Sequence, residues 1–326
     1  MTVQCGMARS GRHVPTLLVV AALLAPLASG SEPVLAESSS NTRAALQRSW
    51  GEAQAVELAG LEHDREDPEK AIACFRRAGE LFESIARQRS EPEGASEAYW
   101  RSARSFWLVG DVHPREAEAE RVRYYLRAEA LAEKGIEIDP ECGACMLWKF
   151  SSMGRLTTTR GIWTAGRQIP LMADLLDRGI ALQPSHADNE HNSVLGNLHY
   201  SSAIFYRVLP DWFWLSWIFG VRGDKERSLR HIQTALALHP DRLEYQVELG
   251  SQLLCRGISK KDAEQLDRGL AVLRSAVERK PERLDDEREI EAARIMLEEP
   301  RKACGYSGDN WLEIDRKRAK RVVNEK

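Results

Sequence analysis

Between Gly223 and Gly250 apolar residues recur with the period of an α-helix, stop at a proline, and recur again. Leu229, Ile232, Ala235 and Leu236 fall on one helical face. Asp224 stands where its carboxylate can cap the first turn. Pro240 stops the helix because it has no amide hydrogen and crowds the turn before it. Leu243, Val247, Gly250 and Leu254 then line one stripe of a second helix. Neither helix can bury its stripe alone. Each needs its neighbour and the pair needs another pair, which is the logic of a helical repeat array.

The same pattern runs upstream. Asn41 is positioned to cap a helix carrying Leu46, Trp50, Ala53 and Val56 and ending near Gly60. Asp67-Pro68-Glu69 is a second start, with a cap, a proline at the first position and an acid against the helix dipole. It opens a helix with Ala71, Phe75 and Ala78. Glu91-Pro92-Glu93-Gly94 breaks the chain before a helix with Trp100, Phe106 and Trp107 that ends at Gly110-Asp111. After Pro114 a long helix runs through Tyr124, Ala128, Ala132 and Ile136 to Asp139-Pro140. No alternating β-branched run is bounded by turns, so strands are not expected. The reading is an all-α superhelix of about a dozen helices.

The first residues stand apart from this pattern. Arg9 and Arg12 precede an apolar run, Thr16 to Leu27, that is short for a bilayer span. Ala28-Ser29-Gly30 and Val34-Leu35-Ala36 both fit a cleavage signal, before Ser31 or before Glu37. The expectation is a cleaved secretory signal peptide and a periplasmic or secreted protein. Ser31 stands where a lipid-anchored protein would carry cysteine, so no lipid anchor is expected. Residues 1–36 read as leader and linker, with a polar stretch at Ser38 to Ser40. Residues 41–300 read as the repeat domain, and 301–326 as a polar, basic tail. Arg316, Lys317, Arg318, Lys320 and Arg321 in that tail are read as a solvated end. A net charge of −3 over 326 residues argues against a nucleic-acid partner. No second apolar segment is long enough to cross a membrane.

The paired pattern resembles the tetratricopeptide repeat, whose helix A ends on Leu-Gly and whose helix B carries a small residue, a large one, Ala and a later Pro. Ala71, Phe75 and Ala78 match a helix B, as do Ala128, Ala132, Gly135 and Pro140. Ser228, Ile232, Ala235 and Pro240 match another, and Gly269, Leu273, Ala276 and Pro281 the last. Val109-Gly110, Leu195-Gly196 and Leu249-Gly250 end helices A. The closing prolines Pro140, Pro184, Pro240 and Pro281 lie 44, 56 and 41 residues apart by their numbers. A plain array repeats about every 34, so long inserts separate some A and B helices. Over Tyr99 to Leu254 the chain resembles the T-component family of tripartite ATP-independent periplasmic transporters. The carrying residues are Trp100 to Gly110, Ile138-Asp139-Pro140, Leu182-Gln183-Pro184, Val194-Leu195-Gly196 and the turn Gly220 to Ser228. That likeness implies a periplasmic helical protein that binds a solute-receptor subunit and a small apolar ligand. A weaker likeness is to the regulators of microtubule dynamics, which share this divergent repeat type; the signal peptide speaks against their setting.

Candidate chemistry is sparse. Cys142 and Cys145 flank Gly143-Ala144 just after Pro140, at a helix start. A local disulfide or a redox pair are both open there. Met146 in place of His removes haem attachment, and no further zinc ligands lie nearby. Cys74, Cys255 and Cys304 read as buried or unpaired thiols. His186 and His191 flank Asp188 and Glu190 at a spacing that does not share a helix face, and read as exposed helix-start residues. No catalytic constellation stands out, so the chain reads as non-enzymatic, with no cofactor or metal.

The insert Phe205 to Phe219 is different. Tyr206, Trp212, Phe213, Trp214, Trp217 and Phe219 make it apolar nearly all round, and three of the chain's nine tryptophans lie within six residues. It is either a wedge in the core or a binding surface reaching over the groove between two A helices. In the second case Tyr206, Trp212, Trp214 and Trp217 contact an apolar ligand or partner segment.

Overall fold

The computed structural model describes residues 34–114, 116–160, 168–188 and 193–306, with the side chains at 34–42, 159–160 and 214–215 outside the described set. Helices follow one another as α1 (Val34–His63), α2 (Pro68–Gln88), α3 (Pro92–Val112), α4 (Glu118–Ile138), α5 (Gly143–Arg160) and α6 (Ile169–Ala181). Then come α7 (Val194–Val208), α8 (Phe213–Phe219), α9 (Lys225–Leu238), α10 (Leu243–Lys260), α11 (Ala263–Val277), α12 (Leu284–Glu298) and a 3-10 helix (Pro300–Gly305). Among the described residues there is no strand, and Ala187 and Ser193 form an isolated bridge.

The starts follow the local chemistry. The Asp67 carboxylate accepts the Lys70 amide at 3.1 Å ahead of Pro68. Asp224 accepts the amides of Glu226 and Arg227 at 3.0 and 2.8 Å. Two boundaries differ from the expectation. α1 is one continuous helix from Val34, so Asn41 and the serines before it lie inside it; serine costs a helix only a few tenths of a kcal/mol. The fold also extends past residue 300 through the 3-10 helix. The basic cluster at 316–321 lies outside the described residues.

Helices pair as α1–α2, α3–α4, α5–α6, α7–α9 and α10–α11, while α3, α5, α7 and α10 stack side by side in one layer. The pairs approach closely because rings lie on bare backbone. A Cβ on Gly60 would sit 2.7 Å from the Phe75 ring, one on Gly79 2.8 Å from Phe106, and one on Gly110 2.7 Å from Tyr125. One core runs from α1 to α7 and a second through α10 to α12. Ala203, Ile232, Ala235 and Tyr245 form a third cluster, between α7, α9 and α10.

The C-terminal segment folds back on the array. Arg283 reaches Asp64 at 3.4 Å, Arg65 reaches Glu287 at 2.5 Å and the Pro281 carbonyl at 3.3 Å. Arg288 donates to the Asp111 carboxylate at 2.5 Å. Burial alone would raise the Asp111 carboxyl, but Arg155, Arg288 and Arg121 outweigh it and bring it down to about 2. Beneath the 3-10 helix, Arg207 and Glu248 form a fully buried pair, with bonds of 2.8 and 2.6 Å. Arg207 and Ser251 both donate to the Ala303 carbonyl, at 2.9 and 2.8 Å. Cys255 and Cys304 are bonded, with Cα atoms 4.7 Å apart. This corrects the reading of both as thiols: α10 and the returning strap bring together two residues 49 apart in sequence. Cys74 is buried and is not a free thiol either.

Two outcomes follow from this lock. Glu248→Ala leaves the Arg207 guanidinium charged and dry, and should cost roughly 3–5 kcal/mol in denaturant titration. Burial, together with Glu244, Asp285 and Glu248, lifts the Glu289 carboxyl to about 8 despite the hydrogen bond from Tyr306. The folded state therefore holds a proton there that the unfolded chain releases near 4.5. That stabilisation is complete below about pH 4.5 and lost as pH rises through about 8. Unfolding midpoints of Glu289→Gln should fall less steeply across that window than those of the parent.

Candidate functional site

The segment between α7 and α9 leaves the array and returns to it. Leu209 caps α7 and Pro210 turns the chain out. Gly220, at φ +71°, ends α8 in a conformation that side chains other than glycine rarely adopt. The base is clasped. The Gly223 amide donates to the Pro210 carbonyl at 3.0 Å, and the Asp224 amide to the Tyr206 carbonyl at 2.9 Å. A Cβ on Gly223 would lie 2.0 Å from the Leu209 carbonyl oxygen, so only glycine allows the two arms to meet. Arg222 and Asp211 pair across the base at 3.6 Å, and Leu209 and Val221 pack against the main core.

Beyond the base the helix stands free of the array. Trp212, Phe213, Trp217 and Ile218 are 52, 77, 87 and 56 % exposed. α8 makes no extensive contact with another described helix. The Trp214 side chain lies outside the described residues. Tyr206 is placed differently from the expectation: it is 3 % exposed and cannot touch a ligand. It sits on α7 just inside the clasp. Its ring stacks on His231 at 6.1 Å and lies under the Arg227 guanidinium at 4.0 Å. His199 and His231 meet through their Nδ1 atoms at 2.9 Å. Burial, with His199, Arg227 and Arg230 around it, brings His231 down to about 4.

The other candidates are internal. Cys142 and Cys145 are bonded at the start of α5, with Cα atoms 5.2 Å apart, and both are buried. His186 is exposed and stacks on Trp100, whereas Asp188 is buried and accepts from the Trp148 indole and the Asn197 amide at 3.0 Å each. Asp188 is thus a structural acceptor and not an exposed helix-start residue; α7 begins later, at a Ser193 cap. Glu190 and His191 lie outside the described residues. Among the described residues no group of three or more His, Cys, Asp or Glu could hold a metal ion. No described helix is long and apolar enough to cross a membrane. A shallow cleft of about 320 Å³ is lined by Leu126, Glu129, Ala130, Glu133 and Lys149. The sequence reading missed both the clasp and this cleft. Gly220 and Gly223, three apart just after an apolar run, were the available signal for the clasp.

A family model described as Regulator of microtubule dynamics protein 1-3 matches residues 62–299. The stronger of the two sequence likenesses, to the transporter T-component, finds no support alongside it. No curated protein matches the chain.

The geometry divides the aromatic residues by what they cost when removed. Tyr206→Ala should cost roughly 3–5 kcal/mol of stability. Trp217→Ala should shift stability by no more than about 0.5 kcal/mol, as an exposed position does. Denaturant midpoints of the two variants check this directly.

Proposed function

The chain belongs to the family of Regulator of microtubule dynamics protein 1-3, and on that footing we propose that it is an exported, non-enzymatic helical-repeat scaffold that holds a protein partner. The observation that carries this reading is the continuous array of paired helices, which gives a long rigid surface of the kind repeat proteins use for binding. The buried polar groups support the non-enzymatic half. Asp111, Asp188 and Glu248 each face partners within the fold and not an open cavity. Buried Cys142 and Cys145 support a structural bridge over a redox pair, since exchange needs an accessible sulfur. The family's name refers to microtubules; what carries over to an exported chain is the repeat array that holds a protein.

Export rests on the leader pattern, and localisation in the periplasm or outside the cell follows from it. Cleavage before Ser31 leaves α1 whole, whereas cleavage before Glu37 removes its first residues. Within this reading the finer alternative is a transporter accessory subunit whose partner is a periplasmic solute receptor and which takes up a small apolar ligand.

Mass spectrometry of protein exported by its own host should find an N-terminus near Ser31 or Glu37. An intact Met1, or a lipid adduct, contradicts export in soluble form. Affinity capture from the same fraction should retain one protein at a fixed ratio, with a measurable Kd for the purified pair. A solute receptor in that role moves the reading to the transporter accessory. Insulin reduction that disappears in Cys142→Ser would instead make the chain a thiol oxidoreductase.

A further inference from the structure

We propose that α8 and its flanking arms form a bilayer-docking knob, which seats the repeat array on a membrane surface by inserting Phe213, Trp217 and Ile218 into the interfacial zone. The inference concerns a surface separate from the protein-binding array and stands whether or not a protein partner is found.

Several observations choose a bilayer over a protein groove. A helix that docks into a groove needs one apolar stripe, about 100° wide. By sequence every position of α8 except Ser216 is apolar, so apolar residues fall all round the helix at about 100° per residue, and Phe213, Trp217 and Ile218 are more than half exposed, as is Trp212 at the N-cap. A helix apolar in so many directions is suited to a medium that surrounds it. The tip carries no charge from Trp212 to Val221. Several polar groups around the tip pair within the loop. Arg222 pairs with Asp211, the Ser216 hydroxyl donates to the Phe213 carbonyl at 2.8 Å, and the Gly223 amide donates to Pro210. A protein interface would ordinarily surround such an anchor with a polar rim that offers hydrogen bonds. Tryptophan is also the residue that favours the headgroup level, where its ring is wetted on one side and buried on the other.

The dimensions agree. A helix of seven residues is about 10 Å long, comparable to the depth of about 5–10 Å that interfacial helices occupy. The clasp at Gly223 makes the knob a preformed projection, so docking does not have to order it. Because the tip is uncharged, attachment should depend on apolar insertion and hardly at all on lipid charge or salt.

The test uses the mature chain with phosphatidylcholine vesicles. Flotation should recover the protein with the vesicles, equally with and without added phosphatidylglycerol and at low and high salt. Acyl-chain-brominated phosphatidylcholine should quench part of its tryptophan emission. Trp217→Ser combined with Phe213→Ser should lower the partition coefficient at least tenfold, with the denaturation midpoint unchanged. Leu58→Ser, at an exposed apolar site on α1, should change neither. Absence of vesicle binding overturns the proposal. So does binding that requires phosphatidylglycerol and vanishes in salt, or a double variant that still partitions as the parent does. A parent that dimerises without lipid, becomes monomeric in the double variant and fails to float would identify the occupant as a second copy of this chain and equally overturn it.

Discussion

Aromatic rings lying on bare backbone set the spacing of the first four helices, and leucines on glycine do so further along, as Leu198 does at Gly179 and Leu273 at Gly250. Phe75 covers Gly60, Phe106 covers Gly79 and Tyr125 covers Gly110, each where a methyl group would collide with the ring. The contacts join α1 to α2, α2 to α3 and α3 to α4 in turn, so α2 and α3 each present a ring to one neighbour and a gap to the other. A single side chain larger than hydrogen at any of these points would push two helices apart and pass the displacement along the stack. The layer of α3, α5, α7 and α10 depends on that spacing.

The architecture was legible because it is built from local, periodic signals. The Asp67-Pro68 and Asp224 starts, the closing prolines and the small residues at Ala71, Ala78, Ala128 and Ala132 all act within one or two turns of helix. What could not be read were contacts between residues far apart in the chain. Cys255 and Cys304 look like isolated thiols in sequence, and nothing local brings the strap back to α10. Asp188 reads as an exposed residue beside a helix start until Trp148, 40 positions earlier, is seen to donate to it. The insert shows both limits. Its apolar composition was plain, but composition does not distinguish a wedge from a knob. Tyr206, at the end of α7, went to the inside, while Trp212 and Trp217, beyond Pro210, went to the outside. The clasp at Gly223 decides the matter, and it is a backbone contact.

The buried ionic groups serve the fold. Arg207 of α7 lies where α10 and the returning strap meet it, and it bonds to both, which offsets the cost of taking its charge out of water. Asp111 collects three arginines from α4, α5 and α12. Glu289 is left among other acids with the Tyr306 hydroxyl donating to it, and it resolves the conflict by keeping its proton. Each is a joint between segments that are distant in sequence.

Most repeat arrays have two loose ends, and they lose structure from those ends inward, repeat by repeat, because each unit is held only by its neighbours. Here the last helix grips the first turn through Arg283 with Asp64 and Arg65 with Glu287, more than 200 positions apart. The two ends of the array are thus linked to one another as well as to their neighbours. Opening at either end breaks contacts to the other in addition to those within its own pair. A stack that would otherwise melt in steps gains a tie between its first and last units.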